Sequence, residues 1–175
     1  MSVTETILFS RKAIAQRVEE LAEEIASAPC NPEVAVPILA GAFVFAADLL
    51  RALAAKHIAL PIEFVWLRSY DEAQTPQNVE ILRGPDKAVS DKSVLVIDGV
   101  LDSGATLAAA RELLFAAGVR SINSVVAVAK NNPLRIIEAD YVGFNSGPEF
   151  IYGYGMDYAG SGRGLAEIRI APRER

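Results

Sequence analysis

Residues 93–107, SVLVIDGVLDSGATL, gather two aspartates, two serines and a threonine around two glycines. Residues 94–98 are a β-branched apolar run ending in a carboxylate, the pattern of a buried parallel strand. Asp102, Ser103, Gly104, Ala105 and Thr106 make a small-residue turn. Leu107, Ala110, Leu113, Leu114 and Ala117 then recur at helical spacing up to Gly118. In such a strand–turn–helix, the N–H groups of the turn converge on one point and the helix dipole favours an anion there. Gly104 lets a ligand approach the backbone, and Ser103 and Thr106 add hydroxyl donors. A phosphate monoester fits that description. Asp98 and Asp102 share the rim at the carboxyl end of the strand, where open α/β sheets bind ligands. A plain capped helix after an Asp-Ser-Gly turn is the other reading of the same residues.

Strand-end Asp98 with Asp102 four residues on resembles the phosphoribosyl pyrophosphate signature of the type I phosphoribosyltransferases. That signature is a strand, two acidic residues, then Asp-Thr/Ser-Gly-x-Thr; here Gly99 stands in place of the second acid. Residues 38–45, ILAGAFVF, resemble the pyrophosphate loop of the hypoxanthine-guanine phosphoribosyltransferase family, with Ala40 in place of its lysine. Ser69-Tyr70 matches a Ser-Tyr pair at the start of that family's lid, and Lys130 follows the apolar run 125–129 as its purine-reading lysine does. Residues 141–144, YVGF, and 149–158, EFIYGYGMDY, resemble the family's purine-pocket segment, followed by Arg163. The resemblance covers residues 7–170.

The resemblance implies transfer of a 5-phosphoribosyl group from phosphoribosyl pyrophosphate to N9 of a 6-oxopurine, hypoxanthine or guanine, in purine salvage. By the same resemblance, Asp98, Asp102, Ser103, Gly104, Ala105 and Thr106 hold the phosphoribosyl group, with Asp102 as the general base. Ala40, Gly41, Ser69, Tyr70 and Arg163 contact pyrophosphate, and Lys130, Phe150, Ile151 and Asp157 form the purine site. Asp98 and Asp157 are the implied ligands of Mg²⁺, an ion suited to oxygen donors and phosphates. A cis peptide at Leu39–Ala40 and a homodimer or homotetramer are further implications. If the carboxylate missing at Gly99 limits binding, an aspartate there would lower the Michaelis constant for phosphoribosyl pyrophosphate. Two other readings stay open: a non-catalytic relative that senses a nucleotide or phosphoribosyl pyrophosphate, and a phosphoribosyltransferase for xanthine or another oxo-heterocycle.

Composition bounds these readings. The 175 residues are 51% hydrophobic, which suits one domain over residues 1–175 with a sizeable core. A net charge of −5 argues against nucleic-acid binding, and no apolar run is long enough to cross a membrane. No secretory signal is visible, and a single cysteine cannot form an internal disulfide, so a cytoplasmic location is expected.

The elements that must position the motifs alternate. Ser10 caps a helix with Ile14, Val18, Leu21 and Ile25 on its apolar stripe. Strands are predicted over 34–38, 62–67, 79–82, 94–98 and 122–129, with helices over 44–55 and 106–117. Apolar strands separated by helices predict an α/β fold, a parallel central sheet flanked by helices; the resemblance implies that this is the type I phosphoribosyltransferase fold. The last forty or so residues, with short strands at 141–143 and 150–152, read as a small C-terminal hood over the strand ends. Residues 72–78, EAQTPQN, are expected to form a lid. His57 reads as a surface histidine, Cys30 lacks an accompanying base, and Trp66 is expected in the core or anchoring the lid.

Overall fold

The structure, a computed structural model, describes residues 6–29, 31–69 and 79–172. Cys30, Tyr70 and the expected lid at 72–78 lie outside the described residues. Along the chain run β1 (Thr6–Phe9), α1 (Arg11–Ala26), β2 (Val34–Leu39), α2 (Phe43–Ala55), β3 (Val65–Ser69) and β4 (Val79–Arg83). They are followed by β5 (Ser93–Leu101), α3 (Ala105–Ala116), β6 (Ser121–Lys130), β7 (Tyr141–Ser146), β8 (Ile151–Tyr152) and β9 (Ile168–Ile170).

Six strands form the central sheet in the order β4-β3-β2-β5-β6-β7. All neighbours are parallel except β3 and β4, which pair antiparallel. Because side chains alternate across a strand, successive residues of β2 and β5 serve opposite layers. Ala35, Leu95 and Ile97 pack with α1 and α2, whereas Val34, Val36, Ile38, Val94 and Val96 pack with α3. Both faces of the central strands are thereby covered, which is why they are apolar without a polar phase. Ser10 caps α1 as expected, accepting from Ala13 N at 3.3 Å. Among the described residues, no helix is long and apolar enough to cross a membrane.

The strand expected in the hood at 141–143 is instead β7, paired parallel with β6 at the edge of the central sheet. A second sheet, β1-β9-β8, is antiparallel throughout and is the hood, which the N-terminal strand β1 joins. Its strands β1 and β9 were not anticipated from the sequence, being four and three residues long. Nor does a strand run over 62–67. Ile62 meets Ala35 in an isolated bridge, and β3 proper starts at Val65, where it pairs with Ile38. Trp66 is 44% exposed rather than in the core: among the described residues α3 packs on the other face of β3, and α2 packs chiefly on β2 and β5.

Truncating a side chain that one layer depends on costs transfer energy plus a cavity. Leu95→Ala, at the centre of β5 and fully buried, is expected to lower stability by about 2–5 kcal/mol. Leu134→Ala, 72% exposed, is expected to change it by less than about 0.5 kcal/mol. Urea unfolding of both variants checks the contrast.

Candidate active site

Parallel pairing of β5 with β6 sets Asp98 beside Val126 and Leu101 beside Ala129, so the two strands end together. Asp102 leaves β5 at this edge and Lys130 closes β6. The Lys130 ammonium, nearly buried, donates to Asp102 Oδ2 at 2.9 Å, and Asn132 Nδ2 donates to Asp102 Oδ1 at 2.8 Å. Arg135 donates to the Lys130 carbonyl and, at 2.7 Å, to Glu138. Partial burial pushes the Asp102 carboxyl upward. The hydrogen bonds from Lys130 and Asn132, with the charges of Lys130 and Arg135, outweigh that and hold it below its ordinary value. Asn132 and Arg135 were not singled out from sequence. They lie in the irregular segment after β6, where no periodicity marks them.

Ser103 and Gly104 complete the turn into α3, with Ala105 and Thr106 in its first turn. Gly104 adopts φ +85° at the helix cap, and a Cβ there would sit 2.7 Å from Ile137 Cγ2. Glycine is therefore required twice over, by conformation and by space. Ser103 Oγ accepts from Ala105 N at 3.3 Å, and Ser103 O accepts from Ile136 N at 3.0 Å. N–H groups of a first helical turn have no acceptor within the helix, so the turn offers donors to an anion.

A cavity of about 490 Å³ opens at these strand ends. Around it the fold brings together Ala40, Gly41, Asp98, Thr106, Lys130, Phe150, Ile151, Asp157 and Arg163. Asp102 joins the group through Lys130, while Ser103, Gly104 and Ala105 precede Thr106 in the turn and do not line the cavity. Ser69 is the last residue of β3. Leu39–Ala40 is cis, in the turn between β2 and α2. Phe150 is 54% exposed, with Lys130 Nζ 5.6 Å from its ring centre and Tyr158 meeting its ring edge-on. Asp157 pairs with Arg163 at 2.6 Å and accepts from Gly160 N at 2.9 Å. Arg163 also donates to the Gly155 carbonyl at 2.8 Å.

Asp98 is buried, and its described hydrogen bond is from Gly99 N at 2.7 Å. Burial pushes its carboxyl up to about 7, with the Gly99 N–H pulling the other way. Asp98 and Asp157 bring oxygen donors to the cavity, and the described residues hold no cluster of three or more metal-binding side chains. That donor set fits a Mg²⁺ ion whose remaining ligands are phosphate oxygens and water.

The environment of Gly99 alters the expectation attached to it. A Cβ at position 99 would lie 2.8 Å from the Gly41 carbonyl oxygen, and one at Gly155 would lie 2.5 Å from the same atom. Contacts that short against backbone force something to move. The Gly41 carbonyl thus sits against two glycines, in space that an acidic side chain at 99 would need.

The raised Asp98 value has a sign for stability. Between about pH 4 and 7 the folded chain keeps a proton that the unfolded chain has released, so stability falls as pH rises through that window. Asp98→Asn, which keeps an acceptor for Gly99 N, is expected to stabilise the ligand-free protein by about 3–4 kcal/mol at pH 8 and not at pH 4. Thermal unfolding at both pH values measures it.

Comparison with known proteins agrees with this architecture. The phosphoribosyl transferase domain matches residues 5–159. Hypoxanthine-guanine phosphoribosyltransferase of Aquifex aeolicus is 32% identical over 166 residues, covering 93% of this chain and 92% of that protein. The corresponding protein of Bacillus subtilis is 33% identical over 171 residues, covering 95% and 92%. A hypoxanthine phosphoribosyltransferase of Trypanosoma cruzi, solved as a mutant with the product IMP, superposes with a TM-score of 0.86 at 30% identity, covering 98% of this chain and 92% of that one. A strand–turn–helix at the sheet edge, an acid and a lysine at paired strand ends, and these matches along nearly the whole length place the chain in the phosphoribosyl transferase family.

Proposed function

We propose that this enzyme transfers the 5-phosphoribosyl group of phosphoribosyl pyrophosphate to N9 of a 6-oxopurine, hypoxanthine or guanine, releasing pyrophosphate. The observation that carries this reading is the Lys130–Asp102 pair. An ammonium and a carboxylate 2.9 Å apart present a donor beside an acceptor. The purine edge with O6 beside N7–H presents the complement, an acceptor beside a donor. Adenine carries an amino group where O6 would be, so it sets donor against donor at Lys130. The exposed Phe150 ring next to the pair offers a stacking face, and Ile151 offers backbone groups to the base edge.

In the reaction, the C1′–O bond breaks with its electron pair leaving on pyrophosphate. The N9 lone pair forms the C1′–N9 bond, and the N7 proton passes to Asp102. The depressed Asp102 value keeps that carboxylate ionised and ready to accept. Ser103, Gly104, Ala105 and Thr106 would take the 5′-phosphate on the first turn of α3. Arg163 would neutralise the leaving pyrophosphate beside Ala40 and Gly41. Asp98 and Asp157 would hold a Mg²⁺ ion, which supplies charge neutralisation on the diphosphate. We further propose a homodimer or homotetramer. Phe43 and Phe64 are 45% and 42% exposed on the α2–β3 side and would be covered in it.

The decisive assay supplies phosphoribosyl pyrophosphate and Mg²⁺ with hypoxanthine, guanine, xanthine or adenine in turn and measures pyrophosphate release. Release with hypoxanthine or guanine and none with adenine is expected. Silence with both 6-oxopurines sinks the proposal, and xanthine alone redirects it. Asp102→Asn is expected to lower kcat about 10²–10⁴-fold with nucleoside monophosphate affinity little changed. Gly99→Asp is expected to raise the Michaelis constant for phosphoribosyl pyrophosphate, the reverse of what the sequence alone suggested, because its Cβ displaces the Gly41 carbonyl. A lower constant in that variant would show that the loop yields without cost.

A further inference from the structure

The pyrophosphate turn of this chain is short of positive charge. Ala40 brings only backbone and its methyl to it, and among the described residues the cationic side chains bordering the cavity are Arg68, Lys130 and Arg163. Two of the three are held firmly. Lys130 sits 2.9 Å from Asp102, and Arg163 bonds both Asp157 at 2.6 Å and the Gly155 carbonyl at 2.8 Å. Arg68 differs. Its ion pair is a cross-strand contact to Glu80 at 3.8 Å, with the two side chains 55% and 44% exposed. Exposed pairs of that kind contribute little and exchange readily.

Placement points the same way. β2 and β3 run parallel with Leu39 beside Trp66, so two residues further along β3 the chain draws level with the Ala40–Gly41 turn. Strand alternation buries Val65 and Leu67 under α3 and turns Trp66 and Arg68 to the opposite face, where both border the cavity. We propose that Arg68 binds the pyrophosphate group, supplying from the neighbouring strand the charge that position 40 lacks. The proposal rests on the phosphoribosyl-transfer reading above. A planar guanidinium suits a diphosphate, because its N–H groups meet two oxygens at once. In the ligand-free chain Glu80 holds Arg68 loosely, and a ligand of higher charge displaces that carboxylate.

The test is calorimetric binding of inorganic pyrophosphate with Mg²⁺ to the wild-type protein, Arg68→Gln, Arg68→Lys and Glu80→Gln. Binding of inosine monophosphate, which carries no pyrophosphate, is measured alongside. Arg68→Gln is expected to weaken pyrophosphate about ten- to a hundredfold, raise the Michaelis constant for phosphoribosyl pyrophosphate in parallel, and leave the monophosphate within about twofold. Arg68→Lys should keep part of the affinity, and Glu80→Gln should bind pyrophosphate no more weakly than wild type. Three results overturn the assignment: unchanged pyrophosphate affinity in Arg68→Gln, equal loss of both ligands, or a Glu80→Gln defect as large as that of Arg68→Gln. Failure of the wild-type protein to bind pyrophosphate overturns it as well. Because binding is read without turnover, a wild-type protein inactive on every purine would refute the proposed reaction while the Arg68 question is still answered.

Discussion

The parallel hydrogen-bond ladder between β5 and β6 fixes where chemistry can occur. It runs from Ser93 beside Ser121 to Leu101 beside Ala129. A slip of one residue would turn every buried side chain of a strand to the other face. With Val94, Val96 and Val126 on one layer and Leu95, Ile97 and Val125 on the other, such a slip would expose both layers. The register is therefore enforced by apolar packing along its whole length. Its consequence at the far end is polar: Asp102 and Lys130 leave adjacent strands at one level and meet. A surface ion pair contributes little by itself. Here two packed strands hold it in place, so its geometry costs little additional ordering.

A second constraint acts on the backbone alone. The Gly41 carbonyl is enclosed by Gly99 from β5 and Gly155 from the hood, so three segments distant in sequence approach without side chains between them. The turn after β2, the end of β5 and the segment behind β8 are thereby tied to one another. The departure at position 99 is a piece of packing as well as a missing carboxylate. The charge absent at Ala40 and the acid absent at Gly99 then read as two parts of one rearranged corner.

Much of this was legible in the sequence because it is local. The run 94–98 with the Asp102–Thr106 turn declared strand, turn and helix by spacing alone, and β5 and α3 follow within a few residues. The alternation of apolar strands with helices gave the layered sheet. Motif order assigned Lys130, Phe150, Asp157 and Arg163 to one site, and the fold places them around one cavity. What was not legible depends on contacts between distant segments. Asn132 and Arg135 reach Asp102 and the Lys130 carbonyl from an irregular segment with no period to read. The three- and four-residue strands of the hood are too short to carry an alternating pattern. The exposure of Trp66 follows from which half of the sheet α2 covers, a matter of layer geometry that no local pattern records.

The hood has a consequence for how the site comes into being during synthesis. Its sheet joins β1, among the earliest residues of the described chain, to β9, among the last. Strands β5 and β6 and the turn into α3 are close in sequence, so the half proposed to take the phosphate is built from local pairing. The half proposed to take the base is not. Ile151 and Tyr152 pair with Ile170 and Arg169, so the wall beside Phe150 is fixed only after β9 has emerged and closed against β1. Long-range closure of that kind is slow relative to local strand–helix pairing. The two halves of the proposed pocket thus draw on different parts of the chain, one on neighbouring segments and the other on pairing between the first and last described strands.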